Sequence, residues 1–365
     1  MRRPNTSTLS RPGWLLLSLA LACSPQGGVE QGASATGGEA ADASGSGSAV
    51  AVERTIPTPQ YSLDSSQTHN RFSSTIPPAI TVPSGAVVEL YTEEATDGQL
   101  SLESTVDDLA TVDFDPIHPL TGPIFVETAM PGDVLAVTLH EIEIGSWGWT
   151  AIYPGFNFLA DEFPEPYLKT FALEPGQESV RFADGIEVPL APFPGVVGVA
   201  PATEELLSTI PPRANGGNMD NRYLTAGTTI YLPVFVEGAL LSVGDTHAAQ
   251  GDGEVCGTGL EAPMRVVLEA RVVKGGRSLA EPQYETDDFY AVTAFAETID
   301  EAARKATRYM LDYLTEEHGL SRQDAYALAS LAADLKISEV VDVPHVLVSM
   351  HIPKSIFRQG ARGAQ

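Results

Sequence analysis

Residues 229–254 read TIYLPVFVEGALLSVGDTHAAQGDGE and contain two apolar runs followed by a dense polar cluster. The runs Thr229–Val236 and Ala239–Val243 have the β-branched and aromatic content of strands, and Glu237-Gly238 between them is typical of a tight turn. The pattern therefore predicts two strands joined by a turn, with the polar loop Gly244–Glu254 at the end of their sheet.

The polar loop is predicted to carry a metal or catalytic site. Asp245 and His247 are two residues apart, a spacing that points both side chains to the same face of an extended segment. One imidazole and one carboxylate make half of a site for a divalent cation, so other parts of the fold must supply the rest. Asp252 lies between two glycines, where a turn role is the alternative.

The chain before residue 202 shows the features of a β-rich body. Turns that contain Pro and Gly precede extended runs at Ala86–Tyr91, Val134–Ile144 and Ser179–Phe182. No convincing helix is predicted in this part of the chain.

Helices are predicted only near the C-terminus. Thr298-Ile299-Asp300-Glu301 has the spacing of a capping box and opens an amphipathic run that ends at Gly319. A second helix is predicted from Ser321 to about Leu335, after which β character returns. The predicted fold class is α+β: a mostly antiparallel, layered β body over residues 56–275 with a C-terminal α/β portion over residues 276–358.

The N-terminus predicts export. Basic residues followed by the apolar run Trp14–Ala22 form a signal peptide over residues 1–22, and the run is too short to span a bilayer. Ala20-Leu21-Ala22-Cys23 resembles a lipoprotein box, which predicts lipidation of Cys23 and attachment to the bacterial cell envelope, with Ser24 favouring the outer membrane. A plain cleaved signal and an uncleaved anchor are the alternatives.

The amino-acid composition and net charge exclude some classes of binding partner. Residues 23–55 are rich in Gly, Ser and Ala and are predicted to form a disordered tether. The formal net charge of −27 argues against nucleic acid and against an anionic membrane surface, so membrane contact is expected through the lipid anchor alone. If Cys23 is lipidated, Cys256 is the one cysteine left, which excludes an intramolecular disulfide.

A family resemblance connects these segments. The run from Gly216-Gly217-Asn218-Met219-Asp220 through YLPV, EGAL and GDTHAAQGDGE to Gly257 resembles the diagnostic sequence of the acetamidase/formamidase family. Shorter resemblances occur at Thr68–Phe72, Thr121–Ile124, Pro131–Asp133, Gly198–Pro201 and Asp334–Ile337. The resemblance implies a layered β/β/α fold, a homo-oligomer, and hydrolysis of small linear amides such as formamide or acetamide.

Amide hydrolysis suggests roles for particular residues. It needs an activated nucleophile, a proton donor and stabilisation of the oxyanion, and a metal-bound hydroxide can supply two of these needs. The expected metal ligands are His69, Asp97, Asp245 and His247, with Glu127 or Glu254 as the general base. Zn²⁺ fits this mixture of imidazole and carboxylate, and Ca²⁺ is the alternative.

Glycines near Asn218 are candidates for the oxyanion site. Gly216, Gly217 and Asn218 could present backbone N–H groups, although a tight turn explains them equally well. Gln250 is placed in the same substrate-facing group, and Asp220 is expected to bind the substrate nitrogen or to cap the turn.

Three further hypotheses remain open at this stage. Cys256 could act as a nucleophile, but no lysine lies near it in the sequence and a small buried role is favoured. The chain could also be an exported small-solute-binding protein or a structural lipoprotein without turnover.

The entrance to the site is expected to be reshaped by Ala214, Trp147, Trp149 and Tyr153, so that a larger amide could enter.

Overall fold

The structure, a computed structural model, describes residues 55–358. The predicted signal peptide, the lipidation site Cys23 and nearly all of the predicted tether lie outside the described residues and stay predictions. No helix in the described part of the chain is long and apolar enough to cross a membrane.

Strands dominate the described residues. In chain order they are β1 (Tyr61–Leu63), β2 (Thr68–His69), β3 (Arg71–Phe72), β4 (Ile80–Val82), β5 (Ala86–Tyr91), β6 (Leu120–Val126), β7 (Val134–Ile144), β8 (Trp147–Ile152), β9 (Tyr167–Ala172), β10 (Ser179–Ala183) and β11 (Ile186–Pro189). They continue with β12 (Phe193–Gly198), β13 (Leu207–Ser208), β14 (Gly216–Asn218), β15 (Thr229–Pro233), β16 (Leu241–His247), β17 (Met264–Val273), β18 (Gln283–Glu285), β19 (Phe289–Ala296), β20 (Asp334–Glu339) and β21 (Val346–Pro353). The helices are α1 (Ile299–His318) and α2 (Arg322–Ala332), and 3₁₀ turns occur at Val106–Thr111 and Lys354–Ile356.

Two sheets form the body of the protein. The larger has nine strands in the order β1-β5-β17-β7-β15-β18-β19-β21-β20, and the smaller has the order β14-β12-β16-β6-β2 with β4 also paired to β6. Among the described strands, β1–β5 and β4–β6 are the parallel pairs and the remaining ladders are antiparallel. Three small two-stranded sheets, β10-β11, β13-β3 and β8-β9, lie beside them.

The two sheets pack face to face, and the helices cover the far side of the larger one. Leu135 of β7 and Val243 of β16 are fully buried in one shared apolar cluster. On β21, Leu347 belongs to that cluster, whereas Val348 packs with Met310 of α1 in a second cluster. Because successive strand residues face opposite sides, the layers are sheet, sheet and helix, and the predicted α+β fold class is confirmed.

The C-terminal helices follow the capping pattern of the sequence. The side chain of Thr298 accepts a hydrogen bond from the backbone N–H of Glu301, and Gly319 ends α1 in the left-handed conformation at φ 66°. Ser321 caps α2 in the same way. The second helix ends at Ala332, before the predicted Leu335, because Asp334 begins strand β20.

The predicted strand pair at residues 229–243 is wrong as a hairpin. β15 pairs with β7 and β18 in the larger sheet, whereas β16 pairs with β12 and β6 in the smaller one. Between them Gly238, Ala239 and Leu240 have φ values of 76°, 57° and 58°. Three successive left-handed residues turn the chain away from its sheet, so this connection crosses from one layer to the other.

Candidate functional site

A small polar cavity lies between the end of β16 and the connections around it. Its volume is about 50 Å³, and its wall contains the carboxyl groups Asp220, Asp245, Glu254, Glu261 and Asp342 and the imidazoles His118 and His247. The carboxyl-bearing residues and His247 are buried, and the His118 side chain is 13% exposed. Such a density of ionisable groups in one small cavity is typical of a functional site.

The cavity is assembled from distant parts of the chain. Asp245 and His247 lie within β16 itself, which places them on a strand and not on the predicted loop. The connection from β16 to β17 supplies Glu254 and Glu261, and Asp342 lies between β20 and β21. The site therefore depends on both sheets and on the last strands of the fold.

His247 is the centre of this arrangement. Its Nε2 lies 3.0 Å from Oε2 of Glu261, 3.5 Å from Oδ1 of Asp245 and 3.7 Å from Oδ1 of Asp220. The ring of the buried Phe193 packs edge-on against the imidazole, with 5.2 Å between the ring centroids. One nitrogen of His247 therefore faces three carboxyl groups at once.

Gln250 fixes the orientation of that imidazole. The side-chain N–H of Gln250 donates to the carbonyl oxygen of Asp220 at 2.7 Å, which leaves its Oε1 to accept a hydrogen bond from Nδ1–H of His247 at 2.8 Å. Because Nδ1 is the protonated nitrogen, Nε2 can offer its lone pair to a cation. Gln250 thus positions His247, and its predicted substrate-facing role stays a prediction.

The charges around His247 attract a positive partner. Burial disfavours the imidazolium, but Glu261 and Asp245 outweigh burial and raise the pKa of His247. Burial alone would raise the pKa of Asp245, yet His118 and His247 hold it at about 2. Burial raises the pKa of Glu261 to about 7. Nε2 therefore faces a position where a proton or a metal cation is stabilised.

A second layer of acids supports Asp220. Burial, followed by the neighbouring Glu339, raises the pKa of Asp342, which favours the protonated acid as a hydrogen-bond donor to Asp220. The side-chain N–H of Asn218 donates to Oδ2 of Asp342 at 2.8 Å. Burial also raises the pKa of Glu339 to about 8. These acids hold the Asp220 carboxylate in place without adding full charges to the site.

Three of the acids occupy strained backbone positions. The φ angles of Asp220, Asp245 and Glu254 are 36°, 49° and 46°. Residues other than glycine reach this left-handed region at an energetic cost, typically about 1–3 kcal/mol each where the conformation is sparsely populated. Three acids of one cavity share this costly backbone conformation. This indicates that their positions serve function and not stability.

Glycines make room for the ionisable groups. A Cβ atom at Gly195 would collide with Oδ1 of Asp220 and lie 2.8 Å from the carbonyl oxygen of Asp245. A Cβ atom at Gly259 would lie 2.7 Å from Nδ1 of His247. The packing of the two acids and the imidazole thus depends on the missing side chains at these two positions.

Several buried polar atoms at the cavity lack a hydrogen-bond partner within residues 55–358. They are Nδ1 of His118, Oδ1 of Asn218, Oδ1 of Asp220, Oε2 of Glu261 and the hydroxyl of Tyr153. Since a buried polar atom without a partner costs about 1–3 kcal/mol, these atoms identify where a bound group would be stabilised. Two acid–imidazole groups have ligand atoms close enough for one metal ion: Asp220, His247 and Glu254, and Asp245, His247 and Glu261.

Some residues of the predicted metal and catalytic set lie elsewhere. Nδ1–H of His69 donates to the carbonyl oxygen of Arg71, and its Nε2 accepts from the Ser242 hydroxyl, each at 2.7 Å. Asp97 is an exposed turn residue with φ 61°, and Glu127 is exposed after β6. His69 and Asp97 do not line the cavity that contains Asp245 and His247, so the structure does not bring the expected four ligands together there.

The predicted oxyanion glycines also serve the fold. Gly216 and Gly217 pair with Gly198 and Val197 in the smaller sheet, and neither lines the polar cavity. A Cβ atom at Gly217 would lie 3.3 Å from the ring of Phe72, so close packing explains this residue. Asn218, the third member of the group, does line the cavity, through its side chain.

Sequence reasoning missed His118, Glu261 and Asp342. Glu261 and Asp342 are single acids inside the apolar stretches Leu260–Met264 and Val340–Val343. A lone acid within a buried run is costly unless it has a partner or a function, and this signal could have identified both. His118, whose Nε2 lies 3.8 Å from Oδ2 of Asp245, immediately precedes the strand region of β6 and carries no comparable signal.

The expected entrance residues are divided among different places. Trp149 and Tyr153 are buried and line the polar cavity, as the sequence suggested, whereas Trp147 does not line it. Ala214 lines a separate cavity beside Arg213 and His345.

Cys256 lies next to the polar cavity but does not line it. Its thiol donates to the carbonyl oxygen of Thr258 at 3.4 Å, and its other contacts among residues 55–358 are the hydroxyls of Thr150 and Thr258, which are not bases that could activate it.

Comparisons with known proteins give one consistent family. A model of the Acetamidase/Formamidase family matches residues 57–209 and 202–359. The chain is similar to an acetamidase of Mycolicibacterium smegmatis, with 31% identity over 293 residues, covering 60% of this chain and 71% of that protein. It is similar to a formamidase of Methylophilus methylotrophus, with 26% identity, covering 80% of this chain and 89% of that protein. A crystal structure of a recombinant predicted acetamidase/formamidase from the thermophile Thermoanaerobacter tengcongensis has a TM-score of 0.76 and 36% identity, covering 81% of this chain and 96% of that one.

Gly195→Ala tests the close packing of the acids. The added methyl group should displace Asp220 and lower the free energy of unfolding by about 1–3 kcal/mol, measured by denaturant titration. Gly276→Ala is the matched control, because a Cβ atom there meets only ordinary contact with Val273, at 3.4 Å. The control should change stability by less than about 0.5 kcal/mol. Equal stability of the Gly195 variant and the wild type would contradict the packing.

His69→Gln tests the structural role of His69. Burial lowers the pKa of His69 to about 4 from 6.5. The unfolded chain therefore binds a proton below pH 6.5 that the folded chain does not bind until about pH 4, and stability should fall over this window by about 3 kcal/mol. Urea titrations at several pH values should show a shallower fall for His69→Gln. Equal slopes in the wild type and the variant would contradict this role.

Proposed function

The chain belongs to the acetamidase/formamidase family of amidohydrolases, and we propose that it hydrolyses small linear amides to a carboxylate and ammonia with a divalent metal ion as cofactor. The observation that carries this proposal is Nε2 of His247, which faces the carboxyl groups of Asp220, Asp245 and Glu261 in a buried cavity. The names of the similar proteins support amide substrates.

The residues present fit a divalent metal ion. His247, Asp245 and Glu261 would hold it, with Asp220 as a further oxygen ligand, and the unpaired Oε2 of Glu261 and Oδ1 of Asp220 would gain a partner. A bound divalent ion supplies Lewis acidity, which polarises a carbonyl oxygen and lowers the pKa of water. One imidazole nitrogen among carboxylates suits Zn²⁺, whereas Ca²⁺ usually takes about six to eight oxygen ligands.

Tyr153 and Asn218 are suited to orient the amide. Burial raises the pKa of Tyr153, so its phenol stays protonated, and its hydroxyl has no partner in the described part of the chain. It can donate a hydrogen bond to the oxygen that gains charge as water attacks the carbonyl carbon. Oδ1 of Asn218, which is also unpaired, can accept a hydrogen bond from the substrate –NH₂ group.

Glu254 is suited to move the proton. Burial, followed by the nearby Asp220, raises its pKa, and its Oε1 lies 3.8 Å from Nδ1 of His247. A carboxyl group with a raised pKa can take the proton from the attacking water and deliver it to the leaving ammonia near neutral pH. The predicted alternative Glu127 is exposed and distant from the cavity, so Glu254 is the general base that the geometry favours.

The unfavourable free energy of strained and partnerless groups in the cavity favours an enzyme over a solute-binding protein. The cavity combines strained acids, raised pKa values and unpaired polar atoms. A binding protein gains nothing from a proton carrier such as Glu254 beside the ligand. Saturable binding of amides without ammonia release would support the binding protein instead.

Ammonia release from formamide and acetamide provides the direct test. The purified chain should lose activity on chelation and regain it with Zn²⁺, and metal content should be measured on the same samples. Asp245→Asn and Glu261→Gln should each lower bound metal and reduce kcat/KM by about 10²-fold or more. Full activity of the metal-free protein would contradict the metal's role.

Asp97→Asn and Glu127→Gln are matched controls for those substitutions. Each removes one carboxylate charge at a position that the sequence suggested and the structure places away from the cavity. Both variants should retain wild-type metal content and kcat/KM. Loss of metal from either one would show that the ligand set derived from the geometry is incomplete.

Gln250→Ala tests the orientation of His247. Removing the amide leaves Nδ1–H of His247 without its 2.8 Å acceptor, so the imidazole loses its fixed orientation. Metal affinity should fall by about 10- to 100-fold, measured by competition with a chromophoric chelator. Gln250→Glu keeps an acceptor for Nδ1–H and should recover part of the affinity. An unchanged affinity in Gln250→Ala would contradict the positioning role.

A further inference from the structure

A second cavity lies beside the polar one and is much larger. Its volume is about 420 Å³, within the range of small-molecule sites. Its wall is largely apolar and includes Phe171, Val180, Val188 and Leu260, together with the thiol-bearing Cys256. Polar groups, among them Arg222 and Asp252, complete the lining.

Both cavities are lined by Glu254 and Thr258. The two cavities therefore adjoin at these residues, one of which is an acid near His247. Thr258 is held firmly, because its hydroxyl donates to the carbonyl oxygen of Ala151 at 3.1 Å and accepts from the backbone N–H of Ala151 at 2.9 Å. Glu254 is the proton carrier of the proposed reaction, so the apolar space adjoins the chemistry directly.

The sizes of the two cavities indicate that each would hold a different part of the substrate. One water molecule needs about 10–15 Å³ and benzene occupies an apolar cavity of about 150 Å³, so a space of 50 Å³ accepts an amide head group but not a large acyl chain. An acyl chain longer than acetyl must continue into adjoining space. The 420 Å³ cavity offers that space with the apolar surface that such a chain requires.

We propose that the larger cavity binds the apolar acyl group of the substrate, so that the preferred substrates are primary amides of apolar carboxylic acids larger than acetic acid. This inference rests on the proposed amide hydrolysis and specifies its substrate class. The amide group would occupy the polar cavity, and the acyl chain would pass Glu254 and lie against Val188, Phe171 and Leu260.

Amide chain length and one cavity-filling variant test the inference. The wild type should show a kcat/KM for hexanamide at least about tenfold above that for acetamide. Val188→Trp should lower the hexanamide value about tenfold or more and leave the acetamide value within about twofold. Ile186→Trp adds the same ring on β11 at a residue that is 52% exposed and does not line the cavity, and it should match the wild type for both amides.

A measurement without turnover separates this inference from the proposed function. Cys256 lines the larger cavity, so its reaction with methyl methanethiosulfonate, a thiol reagent without an amide group, reports on occupancy when it is quantified at the Cys256 peptide. Hexanamide should slow the labelling of the full chain at least about fivefold at a concentration where acetamide does not.

The outcomes distinguish the two hypotheses. Acetamide turnover with no hexanamide preference and no protection of Cys256 overturns the acyl site and leaves amide hydrolysis in place. If no amide is hydrolysed, the proposed function fails, and protection of Cys256 by hexanamide alone would still establish the cavity as a site for apolar amides. Absence of both turnover and protection overturns both.

Discussion

The concentration of negative charge in one small buried cavity is the constraint on which the rest of the site depends. Five carboxyl groups surround a space of about 50 Å³, and the imidazoles of His118 and His247 lie among them. Burying a carboxylate costs several kcal/mol unless a cation or hydrogen-bond donors compensate it. Burial raises the pKa values of Asp342 and of Glu339 behind it, which favours their protonated forms, and the fold directs other acids at Nε2 of His247. The same charge imbalance makes this position attractive to a metal cation.

The backbone around the cavity has unusual conformations that accommodate the clustered ionisable groups. Left-handed residues at Asp220, Asp245 and Glu254 and the absence of side chains at Gly195 and Gly259 bring the ionisable groups closer than regular strands would allow. Each device weakens the local structure. The extensive apolar contact between the two sheets, to which Leu135 and Val243 belong, supplies the stability that these devices remove.

The sequence predicted local features well and tertiary connections poorly. The helix N-cap at Thr298, the strands at Ala86–Tyr91 and Val134–Ile144, and the shared direction of Asp245 and His247 depend on neighbouring residues, and the structure reproduces them.

The errors arise where a pattern of neighbours does not determine the outcome. A tight turn predicts a hairpin, but the left-handed residues after Glu237 carry the chain into the other sheet. His69 lies in a family-like motif, yet the pairing of β2 with β6 directs its ring to Ser242. Asp342 comes to the site from the far end of the chain, over a distance that no local pattern records.

The site is complete only when residues from His118 to Asp342 have reached their final positions, so long-range strand pairing must precede it. A nascent chain that lacks its last strands has no cavity to load with a cofactor or a substrate, and the hydrolytic machinery therefore becomes competent as a late product of folding.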